Sequence, residues 1–106
     1  MPKYLLEVSY TAEGAKGVLK EGGSKRRAAA EQAAKSSGTK IEAFYFAFGD
    51  TDVFAIMEAP DHASIAAVSM AVAASGAARV KTVVLMNPEE LDQAAKRKVS
   101  YRAPGK

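Results

Sequence analysis

Apolar and polar positions alternate from Lys3 to Tyr10, the period of a half-buried strand. Thr11 stands where an N-cap is wanted, ahead of Ala12, Ala15, Val18 and Leu19 at helical spacing. Gly22-Gly23 breaks that helix. Ser24 is placed to cap a second one over 25–37, with Ala29, Ala30, Ala33 and Ala34 as its inward stripe. Gly38 follows in the position of a left-handed C-terminal residue. An aromatic-rich strand over 40–48, a tight turn at Gly49-Asp50-Thr51-Asp52 and a strand over 53–58 form a hairpin. Asp61 caps a helix to about Ser75, ended by Gly76, and 80–86 is a fourth strand. Asn87-Pro88-Glu89-Glu90 combines an N-cap, a proline at the first helical position and a glutamate three residues after the cap. It opens a last helix striped by Leu91, Ala94 and Ala95. The domain therefore runs over 1–99, with an irregular tail at 100–106.

The order β-α-β-β-α-β with an extra C-terminal helix is an α+β, ferredoxin-like arrangement: one antiparallel sheet with its two main helices on one face. Alternation sorts the strand residues by face. Leu6, Val8, Phe44, Phe46, Phe48, Phe54, Ile56 and Val84 make a bulky set that suits the alanine-rich helices. Leu5, Glu7, Ser9, Ile41, Ala43, Tyr45, Ala47, Val53, Ala55, Met57, Val83 and Leu85 make the other face. That face is too apolar for water, and only the last helix is left to cover it. A second copy of the sheet is the expected cover.

Ala43, Ala47 and Ala55 would leave space between two such sheets, and Glu7, Ser9, Tyr45 and Met57 would line it as a ligand pocket. The competing reading is that the alanines simply allow close packing. Residues 63–78 carry no charge, yet are too few to cross a membrane. Their helix is apolar on every side, which predicts a further subunit contact.

Composition narrows the chemistry. The chain of 106 residues suffices for one domain, and 48% hydrophobic with 25% charged residues is ordinary for a globular protein. The absence of Cys removes disulfides, thiolate catalysis and zinc–thiolate sites. One His leaves little for a metal centre, so neither metal nor cofactor is expected. The first residues do not read as a signal peptide, and a reducing, cytoplasmic setting is the default. The net charge of +3 comes from basic residues over 16–40 and in the tail, where Tyr101 is the only aromatic. That pattern argues against nucleic acid as a partner.

Glu7 is a mid-strand carboxylate on an apolar face and, with Tyr45 as hydrogen-bond donor, a candidate catalytic pair. The alternative is a salt bridge from Glu7 to Lys81. Asp50 and Asp52 suit backbone hydrogen bonding in the turn, and His62 an exposed first helical turn. Ser24, Lys25, Arg26 and Arg27 follow two glycines at a helix start, a setting that can hold an anion. The segment lacks P-loop spacing and follows a helix rather than a strand, so a plain helix break competes with that role.

The segments Lys3-Tyr4-Leu5-Leu6, Ser9-Tyr10-Thr11, Glu13-Gly14, Phe44–Asp52 and Glu58-Ala59-Pro60-Asp61 resemble the GYD-domain family. Ser75-Gly76, Arg79–Thr82 and Pro88-Glu89-Glu90 continue the resemblance over nearly the whole chain. Thr51 stands where the tyrosine of the Gly-Tyr-Asp motif is expected; Gly49 and Asp52 carry over as motif residues, with Asp50 beside them. The resemblance implies kinship with dimeric α+β barrels, which pack two ferredoxin-like sheets face to face. It implies no particular reaction. A homo-oligomer that binds a small molecule between sheets is the leading expectation, ahead of an enzyme. The alternatives are a cofactor-independent monooxygenase or isomerase acting on a small aromatic or unsaturated acid, and an anion- or nucleic-acid-binding module at 22–27.

Overall fold

The computed structural model, which describes residues 1–106, has four strands and four helices. They are β1 (Lys3–Tyr10), α1 (Ala12–Glu21), α2 (Gly23–Ser36), β2 (Lys40–Phe46), β3 (Val53–Glu58), α3 (His62–Ala74), β4 (Ala78–Leu85) and α4 (Pro88–Lys96). The sheet order is β2-β3-β1-β4, antiparallel throughout, as the ferredoxin-like reading requires.

Caps set the helix starts. The Thr11 hydroxyl accepts from the Gly14 N–H at 3.2 Å and donates to the carbonyls of Gly76 and Ala77, tying α1 to the turn before β4. Asp61 accepts from both the backbone N–H and the hydroxyl of Ser64 at the start of α3. Asn87 and Glu90 form the reciprocal capping box expected for α4. At α2 the expectation fails in detail. The helix begins at Gly23, its cap is Gly22 at φ +84°, and Ser24 lies inside the first turn instead of capping it. Only glycine adopts that left-handed bend at no steric cost. β2 ends at Phe46, two residues earlier than expected, and Ala47 donates its N–H to the Asp52 carbonyl across the turn at 2.8 Å.

The face assignment holds for β1 but is reversed for β3. Val8 pairs with Val53, Leu6 with Ala55 and Tyr4 with Met57, and directly opposed residues share a face. Val53, Ala55 and Met57 therefore lie with Leu6 under the helices, all buried, while Phe54 and Ile56 turn to the opposite side. A bulge between Ile41 and Ala43 moves Ile41 to the helix side as well, where it packs on the core. Strand phase follows hairpin register, and bulk does not decide it.

Tyr4, 1% exposed, is a core residue whose hydroxyl bonds His62 Nδ1 at 2.6 Å, with the two rings edge to face. The core around it contains Leu6, Ala55, Met57, Ala59 and Ile65, with Ala34 supplied by α2. It is thin. The chain exposes 7844 Å², whereas a monomer of this mass is expected to expose about 5,700 Å². Its radius of gyration is 16.9 Å, against about 13 Å for a spherical domain of this length.

Candidate functional site: the uncovered sheet face

The side of the sheet away from the helices is built row by row from strand register. Tyr45 pairs with Phe54, Phe54 with Glu7, and Glu7 with Lys81, one row across all four strands. The next row is Ala43, Ile56, Leu5 and Val83. Beyond it, Lys3 bridges Glu42 and Glu58, the latter at 3.4 Å. The bond to Lys3 holds the Glu42 carboxyl below its ordinary range, and its two acidic partners raise Lys3. An apolar centre thus sits between an ion cluster at one end and Arg79 and Lys81 at the other. Phe54 is 38% and Tyr45 70% exposed, so these aromatics lie open to solvent.

Of the residues expected to line a pocket here, Glu7, Ser9 and Tyr45 share this face and Met57 does not. Met57 is buried under the helices because β3 has the opposite phase. Ala55 is lost to the face for the same reason. Glu7 and Lys81 are direct cross-strand neighbours, but no ion pair joins them within 4.0 Å. Glu7 and Tyr45 stand two strands apart, about 10 Å, with Phe54 between them. They do not touch each other.

The hairpin motif is structural. Asp52 accepts the Tyr10 N–H at 2.8 Å on its carboxylate and donates its own N–H to the Val8 carbonyl. Ser9 donates its hydroxyl to the Asp50 carbonyl at 2.7 Å. Gly49, at φ +129°, makes the bend that permits this. Together these bonds fasten the β2–β3 turn over the end of β1.

The basic turn is only partly available to an anion. Arg26 pairs with Glu21 at 3.2 Å, Arg27 with Glu31 at 3.9 Å, and Ser24 and Lys25 are exposed. Sequence reading missed that Arg26 and Tyr10 both line a concavity between α2 and α3, on the helix side of the sheet. Strand and helix spacing put each on a face, but only the packing brings them together.

No group of three or more His, Asp or Glu side chains is placed to hold a metal ion. No helix is long and apolar enough to cross a membrane. α3 presents Ala66, Ala67 and the 70%-exposed Met70 outward, the uncharged side noted in the sequence. α4 buries none of its residues; its first turn borders the open face beside Lys3, Glu42, Ile56 and Leu85.

No curated protein and no solved structure matches the chain. The sequence model of the GYD domain matches residues 4–95, from the first core tyrosine through most of α4. The chain belongs to the GYD domain family.

Proposed function

We propose that this protein is a homodimer that binds a small molecule, its open sheet face set against the same face of a second copy. One observation carries the reading: the single chain exposes 7844 Å², about 2,100 Å² beyond the expectation for a monomer of its mass. Part of that area is the open sheet face, and part is the tail and α4, none of whose residues is buried. Phe54 and Tyr45 are open to solvent, and the half-buried Leu5, Ile56 and Val83 join them in one apolar patch. One end carries Glu42 and Glu58, offset in part by Lys3, and the other carries Arg79 and Lys81; ends of opposite net charge suit a two-fold pairing of identical surfaces.

The sheet face alone has a footprint of roughly 450 Å², about half of what each partner gives a stable interface. α4 and the tail supply the rest in this reading. Leu91, Val99 and Tyr101 are 57%, 81% and 75% exposed and serve nothing in their own chain. Between the two sheets, Glu7, Ser9 and Tyr45 border the ligand space, with Ala43 leaving room beside them.

Light scattering at tens of micromolar tests the assembly. Wild type should run at twice the 11.2 kDa protomer mass, and Phe54→Lys should run as a folded monomer. A monomeric wild type overturns the proposal. Native mass spectrometry of protein purified without added ligand tests the pocket. A bound small molecule lost in Phe54→Lys supports it; a ligand-free dimer reduces the function to self-association.

A further inference from the structure

On the opposite side of the sheet, α2 and α3 do not close over the strands. Alanines line the gap, Ala30 and Ala33 from α2 and Ala71 from α3, and their short side chains leave a cleft of about 420 Å³. Its floor is apolar, with Val8, Ile41 and Phe44 among the floor residues. The volume lies within the range of small-molecule sites.

The polar groups are few and of one kind. Arg26 is the only charged residue on the wall, and no carboxylate lines it. Tyr10 lies beside it, near enough for the guanidinium charge to act on the phenol. Burial nevertheless raises the Tyr10 hydroxyl above its ordinary value of 10.0, and the nearby Asp52 and Glu21 carboxylates, neither on the cleft wall, push it the same way. It remains a neutral donor at physiological pH. Ser75, the other polar wall residue, already gives its hydroxyl to the Val72 carbonyl at 2.6 Å. The partner that Arg26 has, Glu21, is a surface residue across the α1–α2 break. Such a pair contributes little and yields to a better-desolvated anion.

We propose that this cleft binds an amphipathic monocarboxylate, its apolar body between α2 and α3 and its carboxylate on the Arg26 guanidinium and the Tyr10 hydroxyl. An apolar body is demanded by the alanine, valine and phenylalanine walls, which offer nothing to a polar one. A single anionic head is demanded by one cation and one neutral donor at one place; two anionic groups would leave one unpaired in an apolar wall. The site lies on the far side of the sheet from the dimer face and does not depend on the pairing proposed above.

Isothermal titration of the full chain with decanoate, decanol and 2-naphthoate tests this. Decanoate or 2-naphthoate should bind with one site per chain, and decanol at least tenfold more weakly. Preference between the two acids tells a flexible chain from a flat ring. Arg26→Gln should weaken the preferred acid by about tenfold while leaving decanol unchanged. Tyr10→Phe should weaken it severalfold, and of the four tyrosines the acid should push to still higher pH the one absorbance titration that Tyr10→Phe removes. Ala71→Phe, which fills the gap, should abolish binding of all three, with circular dichroism reporting its fold. Absence of binding of either acid to wild type at millimolar concentration overturns the proposal, as does equal affinity of wild type and Arg26→Gln. Phe54→Lys should bind as wild type does, so failure of the dimer and failure of this site are separately visible.

Discussion

Two glycines three residues apart in α1 should respond to the same substitution with opposite sign. A Cβ built on Gly14 lies 1.9 Å from the Ala77 carbonyl oxygen and 2.9 Å from its carbon, a backbone collision that side-chain adjustment cannot relieve. A Cβ on Gly17 meets nothing within 4 Å. The Ala77 carbonyl is not free to retreat. It accepts from the Thr11 N–H at 2.9 Å and from the Thr11 hydroxyl at 3.2 Å, the bonds that anchor α1 to the entry of β4. Relieving the overlap means parting these groups by more than an ångström. Losing the two bonds and some packing costs about 3–4 kcal/mol. The better helix propensity of alanine returns up to about 1 kcal/mol.

Gly14→Ala is therefore expected to destabilise by about 2–3 kcal/mol. At about 4–8 °C per kcal/mol for a domain of this size, the midpoint falls by about 8–24 °C. Gly17→Ala gains the propensity term alone, about 0.5–1 kcal/mol, and should melt a few degrees above wild type. Thermal denaturation followed by circular dichroism, at one fixed protein concentration because assembly shifts the midpoint, reads both. A Gly14→Ala protein that melts at or above wild type would refute the close approach of α1 to residue 77.

Other consequences are equally direct. Asp52→Ala removes the acceptor for the Tyr10 N–H and should cost about 2 kcal/mol by chemical denaturation. Intact stability would show that the turn is not fastened to β1 through this carboxylate. Hydrogen bonding holds the Glu42 and Asp61 carboxyls below their ordinary values of 4.5 and 3.8. Their contribution is thus complete above those values and lost as pH falls through the lower folded ones. Glu42→Gln should flatten the decline in melting temperature between about pH 5 and pH 3; a wild-type slope would mean that the Lys3 pairing contributes nothing. Deleting residues 88–106 removes α4, which buries nothing of its own, so secondary structure should persist while dimer affinity drops. Collapse of the fold would assign α4 to the monomer core instead.

Much of the architecture was legible along the chain because its signals are local. The Thr11, Asp61 and Asn87 caps, the glycine breaks and the hairpin turn act over three or four residues, and the structure has the helices and strands where they point. The alternation of β1 gave its faces correctly, since Leu5, Glu7 and Ser9 oppose Tyr4, Leu6 and Val8 whatever the partner strand does. Within the expected site, Glu7, Ser9 and Tyr45 do share a surface.

Other features have no local signature. In β3 both faces are apolar, Val53, Ala55 and Met57 against Phe54 and Ile56, so hydrophobicity cannot choose between them. Pairing with β1 chooses, and it takes Met57 out of the open face. Tyr4 reads as an amphipathic strand residue until the fold brings His62, 58 positions away, within 2.6 Å of its hydroxyl. Arg26 and Tyr10 lie on different elements, and only the stacking of helices on the sheet makes them neighbours. Spacing along the chain determined the elements, the ferredoxin-like order and a surplus of apolar surface, because caps, turns and periodicity are short-range. Which face holds that surplus, and which polar groups meet across the cleft, was decided by register and packing, because those contacts join residues that are distant in sequence.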